Sequence, residues 1–484
     1  MKTEYAQADA TVDRAGTLRE LLVVALPLVI SYGSTAMMYL IDRVFLSWYS
    51  VDAMAATLPA GVLHWNLSML AIGTVAYGNA FIGQYEGAGQ HHRVGPVVWQ
   101  GIYISIAAAL VMLAFLPLSP GIFRWFDHDG QVQALELRYY RILCLGTLPL
   151  LLDTALSCFF SGRNQTTVVM IVNTIGMTVN IALDYALIFG KFGFPEMGIE
   201  GAAIATVIAF TSISLMYAGT MFWKYRHGTY QLWAGRRFDR ELCGRLLRFG
   251  FPSGLQQFLD VACWNVFVQL MGWLGKEELS ATTLVFTLNG GVFIPLLGLG
   301  TAVTVLVGHR IGEGRPQLAV RTTWLALGLA ELYTVLFCGV YLFMPDLILR
   351  PYGLADHNGL RELVIGLLRF VAFYSFFDSM FVVFNAAIRG AGDTRFALVF
   401  SVSMGFILLV VPTYIASTTL GAAGFHVGWY AISFYIMVLG LGFLTRFQQG
   451  RWKSMRVIEH TALELAREAT AATAPEGLPI AAAP

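Results

Sequence analysis

The 484-residue chain is 57% hydrophobic and 13% charged, with a net charge of +1 and a mean hydropathy of +0.64. A water-soluble domain carries about 25% charged residues, so most of this surface cannot face water, and the near-zero charge argues against a nucleic-acid partner. The five cysteines fall in or beside apolar stretches without metal-ligand spacing, which leaves small buried side chains as their reading.

Apolar runs at 102–119, 198–223, 281–308 and 396–418 carry almost no charge. A helix of about 20 such residues crosses a bilayer core of ~30 Å. A β-barrel would alternate polar and apolar residues over about ten positions and does not fit. The pattern predicts an all-α integral membrane protein with spans at 20–46, 53–82, 95–118, 135–158, 166–190 and 198–223, then 243–273, 280–307, 318–345, 360–387, 395–418 and 422–446. Residues 1–18 are a polar N-terminus without a signal peptide, 19–223 a first lobe, and 224–242 a basic linker. Residues 243–447 form a second lobe, and 448–484 a tail with a short polar helix after about 457 and then an unstructured Ala/Thr/Pro stretch. Twelve spans put both termini on one side. That side holds most of the loop Lys and Arg, including Arg93, Arg163, Lys224, Arg226, Arg236, Arg237, Arg240, Arg315, Arg389 and Arg451, and is expected to be cytoplasmic, in the inner membrane.

The halves repeat. Pro27 corresponds to Pro252, 225 residues on; Gly83, Gly87, Gly89 and Trp99 fall on Gly308, Gly312, Gly314 and Trp324 at the same offset. SGRNQTT (161–167) resembles RGAGDTR (389–395), and GIEGAA (198–203) resembles GAAGFH (421–426). Six spans per half make these parallel repeats about an axis along the membrane normal, with substrate expected between them near mid-membrane. The loops QYEGAGQ and HRIGEGR lack a Lys-Ser/Thr and read as tight helix connections, not phosphate cradles.

A carboxylate inside a span costs at least ~2.5–3.5 kcal/mol, so Asp42, Asp153, Asp184, Asp260, Glu331 and Asp378 are the informative residues. Asp184 shares a helical face with Asn180 and Asn173, a stripe that suits a cation or a proton, or serves as a helix–helix polar contact. Gln256, Asp260 and Trp264 share a face on the seventh span, and the carboxylate with an aromatic suits an organic cation. Tyr374, Asp378 and Asn385 do so on the tenth. For both faces helix packing is the alternative. Asp42 is close to a span end and could be solvated there. Asp153, Glu331 and His426 read as structural.

The proline-led ALPLVISYGSTAMMYLID, the QYEGAGQ loop, NIALDYALIFGKFGFPEMGIEGAAIAT and the RGAGDTR loop together resemble the multidrug and toxic compound extrusion (MATE) family from about 18 to 447. The resemblance implies two six-helix lobes in a V, working by alternating access. It implies a cation site at Asp42, fifteen residues after Pro27. It assigns Asp260, eight after Pro252, and Asp378, eleven before Arg389, as NorM-like cation ligands. Asn180, Asp184 and Thr206 match the amino-lobe cation cluster of the DinF-like branch, so acids of both branches are present. Arg43, directly after Asp42, departs from the pattern. Gln256, Trp264, Tyr374 and Asn385 are then expected at the substrate. The expected activity is antiport: a Na⁺ or H⁺ gradient drives export of a small organic, cationic compound by a monomer with no cofactor. A lipid-linked precursor flippase is the alternative within the superfamily, disfavoured by the acidic faces and the count of twelve. A membrane-embedded enzyme would need a metal set or a nucleophile–base pair, and no HExxH occurs. A scaffold or receptor accounts for neither the repeat nor the intramembrane acids.

Overall fold

The computed structural model describes residues 16–125, 130–226, 228–352 and 358–459. Twelve spans follow in order: α1 (Leu18–Tyr49), α2 (Val51–Gly87), α3 (Val94–Phe115), α4 (Gly130–Leu145 with Thr147–Ser161), α5 (Thr166–Ile188) and α6 (Ile199–Tyr225). The second half continues with α7 (Arg240–Leu274), α8 (Lys276–Gly312), α9 (Pro316–Phe343), α10 (Asn358–Ala391), α11 (Thr394–Thr419) and α12 (Gly424–Gln448). Short helices Ser119–Trp125 and Pro345–Leu349 lie in the connections α3–α4 and α9–α10. The polar helix and tail expected beyond residue 459 lie outside the described residues.

Ten helices are long and apolar enough alone, and the bent pair in α4 makes an eleventh. The twelfth, α7, is less apolar because Gln256, Gln257 and Asp260 interrupt it. α4 bends by 40° where Pro149 cannot donate in the first turn of its second piece and where a Cβ on Gly146 would lie 2.4 Å from Val207 of α6. α11 carries a π-helical segment, Gly405–Val410, at its centre. Local capping starts the helices at the expected places. Thr17, Ser50 and Asp239 accept from the backbone N–H three residues on, satisfying donors that have no partner within the helix.

Each lobe is a six-helix bundle. α1 packs on α5 and α5 on α6 in the first; α8 packs on α10 and α10 on α12 in the second. The lobes meet where α1 crosses α8 and α2 crosses α7. Glycines permit that seam. A Cβ on Gly87 would sit 2.0 Å from the His309 carbonyl oxygen, and one on Gly312 would sit 2.1 Å from that of Gln84. A Cβ on Gly73 would lie 2.7 Å from Gly254 Cα, and one on Gly298 would lie 2.7 Å from Val29 Cα. Each pair maps on the other under the 225-residue repeat, so the seam is two-fold symmetric. The seam occupies the end of the molecule that carries residue 16, the 228–239 connection and residues 449–459. Away from it a groove of about 680 Å³ lies within the second lobe between α7 (Ala262, Gln269, Trp273) and α11 (Phe406, Val410, Tyr414), with Asn66 of α2 at its edge.

Candidate ion site and lobe closure

Three helices of the first lobe bring four of the expected residues together. Asp42 comes from α1, Asn180 and Asp184 from one face of α5, and Thr206 from α6. All four are buried. Thr206 Oγ1 donates to Asp42 Oδ2 at 3.1 Å. With its amide nitrogen turned inward, Asn180 donates to Asp184 Oδ2 and Asp42 Oδ1, each at 3.0 Å. Turned the other way, the amide oxygen faces the same two carboxylate oxygens. Asp184 Oδ1 has no hydrogen-bond partner, and neither acid has an ion pair among the described residues. Arg43, the next residue along α1, is exposed and stands in the field of Asp42 without forming an ion pair with either acid. Two buried carboxylates sharing one amide require a proton or a cation between them. Tyr39 and Tyr139 stand in the field of Asp42; Tyr39 is three residues before Asp42 on α1 and shares its face, whereas Tyr139 comes from α4 and has no such spacing to read. Asn173, on the same face of α5, donates to Ser31 Oγ at 2.5 Å.

The second lobe is less convergent. Asp260 on α7 and Asp378 on α10 are half-buried, and no hydrogen bond joins them. Tyr435 of α12 stands in the field of both, a link that neither acid's own helix could reveal. Gln256 lies beside Asp260 and donates to Ser401 Oγ at 3.1 Å. Trp264 packs on Phe286 with ring centroids 4.3 Å apart, inside an aromatic cluster that includes Phe267 and Trp429. Tyr374 is buried near Asp378 with its hydroxyl unpartnered, and Asn385 is buried with its carbonyl oxygen unpartnered.

The remaining polar residues divide. Glu331 accepts from Ser379 Oγ at 2.6 Å, a contact between α9 and α10. Asp153 of α4 faces Tyr32 and Tyr39 of α1, and Tyr32 bonds Thr301 of α8 across the seam at 2.9 Å. His426 is exposed. His64 of α2, not singled out from the sequence, is buried with Nε2 3.0 Å from Thr147 Oγ1. A lone histidine inside an apolar run was the available signal.

At the seam end, polar contacts reinforce the glycine packing. Arg310 of α8 pairs with Glu20 of α1 across the lobes and with Glu313 at 2.8 Å. Gln84 Nε2 donates to the Gly390 carbonyl at 3.0 Å. The segment after α12 straps both lobes. Trp452 is buried against Phe447, and Val457 N donates to Gln84 Oε1 at 2.9 Å. Glu459 then pairs with Arg93 of the first lobe and Arg245 of the second, and accepts from Tyr85 Oη at 2.6 Å. Burial opposes charge on Glu459, but the Tyr85 hydroxyl and the Arg93 guanidinium hold its carboxyl down to about 2.

The MatE family profile matches residues 27–186 and 252–415, two copies whose starts are 225 residues apart (27 and 252). The chain is 28% identical over 396 residues to the probable multidrug resistance protein NorM of Xanthomonas axonopodis pv. citri, covering 82% of this chain and 86% of that protein. It is 27% identical over 394 residues to the multidrug resistance protein PmpM of Pseudomonas aeruginosa, covering 79% and 80%. Among solved structures it superposes on an outward-facing multidrug resistance MATE family transporter of the MOP superfamily, with TM-score 0.82, 21% identity, and coverage of 90% of this chain and 96% of that one. A MOP superfamily transporter from Pyrococcus furiosus superposes equally, with TM-score 0.82 and 21% identity over 90% of this chain and 96% of that one. These structures share the fold of twelve helices in two lobes.

Proposed function

Because this chain belongs to the MatE family, whose profile matches a segment of each lobe, we propose that it is a multidrug efflux transporter coupled to a cation at the Asp42–Asn180–Asp184–Thr206 site. It is not an enzyme. The observation that carries the coupling is the pair of buried carboxylates with one shared amide and no ion pair among the described residues. Such a pair is stable only when a proton or Na⁺ neutralises it. An ion that binds one lobe arrangement better than the other shifts the equilibrium between them by that difference in affinity.

The loop arginines support an orientation with the seam end and both termini in the cytoplasm of a bacterial inner membrane. The lobes are then closed inside and open outside. In this state a cation enters from outside, and its binding drives the change that exposes the cleft inward for the exported compound. Asp260 and Asp378, around Tyr435, offer a second acidic surface for a small organic cation. Gln256, Trp264, Tyr374 and Asn385 flank it, and the protein works as a monomer without a cofactor. The decisive experiment is efflux of a fluorescent organic cation from vesicles with Na⁺ and pH gradients imposed separately. Efflux driven by one of these gradients and lost in Asp184→Asn is expected. Efflux indifferent to both gradients would end the antiport reading.

A further inference from the structure

The connection between the lobes is not a free linker. The Gly95 N–H of α3 donates to the Tyr230 carbonyl at 3.1 Å. Trp99 Nε1 donates to the Leu232 carbonyl at 2.6 Å, Gln100 to that of Arg237 at 3.3 Å, and Tyr103 to that of Arg236. Positions 95, 99 and 103 lie on one face of α3, so the connection is laid along about 12 Å of that helix and dips beside the membrane-spanning surface.

What it presents outward is unusual for a loop. Trp223, Trp233 and Phe238 are 87%, 52% and 62% exposed. Trp233 packs on Phe222 at 4.8 Å and Phe238 on Tyr103 at 5.9 Å, so the rings are held in place. Between them Lys224, Arg226, Arg236, Arg237 and Arg240 are exposed, and none has an ion pair among the described residues. Asp239 is engaged, accepting from Leu242 N at 3.0 Å and pairing with Arg93 at 3.4 Å. Exposed Glu241 is the opposing carboxylate on the rim. A cavity of about 490 Å³ lies between Pro96, Arg237, Phe238 and Arg240, with Asp239 and Glu241 also on its lining. Aromatic rings at headgroup depth with clustered cations beside them match an anionic lipid surface.

We propose that the 228–240 connection is a binding site for the headgroup of an anionic phospholipid of the inner leaflet, with Arg236, Arg237 and Arg240 on the phosphate and Trp233 and Phe238 in the acyl–headgroup boundary. This rests on the cytoplasmic orientation proposed above. The site joins α6 to α7, and α7 packs on α2 across the interlobe seam.

The test uses the purified full chain in a neutral detergent and follows its thermal unfolding with added dioctanoyl phosphatidylglycerol, dioctanoyl phosphatidylcholine or inorganic phosphate. A saturable rise of several degrees with phosphatidylglycerol alone is expected. The triple variant R236Q/R237Q/R240Q should bind about a hundredfold more weakly, and the triple Lys variant should retain binding. R315Q/R321Q, which removes exposed arginines from the equivalent flank of the other lobe, should behave as the parent. An equal shift with phosphatidylcholine, or an undiminished one in the triple Gln variant, overturns the site. An equal shift with phosphate makes it a free-anion site and overturns the lipid. Loss of the shift in R315Q/R321Q reduces it to general surface charge. Cysteine accessibility at position 236 tests the orientation separately.

Discussion

Replacing Glu459 by Gln removes one charge from the strap that ties the lobes together at the seam end. The carboxyl is held at about 2 against an ordinary 4.5, a gap worth about 3 kcal/mol for a fully buried group. Its side chain is 34% exposed, and solvent screening leaves ~1–2 kcal/mol. The value is depressed, so its stabilisation is complete above 4.5 and is lost as pH falls toward about 2; at neutral pH the Gln variant reproduces the acid state. Arg93 belongs to one lobe and Arg245 to the other, so the loss acts on the closed seam and not on either bundle. The population with the seam open should rise about 5–30-fold. Spin labels at His92 and Arg315, exposed on opposite lobes, in a cysteine-free background would report it as a longer-distance component. An unchanged distance distribution, with the protein folded, would refute the strap.

Asp184→Asn should abolish the stabilisation given by the coupling ion, about 2.7 kcal/mol at a hundredfold excess over Kd, and with it ion-driven transport. A variant that is less stable but transports with unchanged ion and pH dependence would make Asp184 a packing residue only. Gly87→Val and Gly312→Val should act alike, because each places a Cβ 2.0–2.1 Å from a carbonyl oxygen of the other lobe. Both should lower transport and raise cytoplasmic accessibility of the cleft, and a difference of tenfold between them would contradict the two-fold seam. Asp260→Asn and Asp378→Asn should each cut export of an organic cation while leaving expression intact; parental export by both would remove the second acidic surface. A cysteine at position 236 should be labelled by an impermeant reagent only after permeabilisation, and labelling of intact cells would invert the orientation.

The helices, their number and the repeat were legible because each depends on residues near one another in the chain. Bilayer thickness sets the length of an apolar run, and Asn180 and Asp184 fall on one face because a helix turns every 3.6 residues. The glycine-rich loops were legible only as turns, with Gly89 and Gly314 at positive φ; that Gly87 and Gly312 press on the opposite lobe was not. Only the packing of α1 against α5 and α6 carries Asp42 to Asn180 and Thr206, and only the closed seam brings Glu459 to Tyr85, 374 residues away. Those contacts join side chains whose separation along the chain has no period to read. Hydropathy and periodicity describe how each helix meets its solvent, whereas which helix faces meet one another is decided by the collective fit of twelve helices, and that information exists only in the folded bundle.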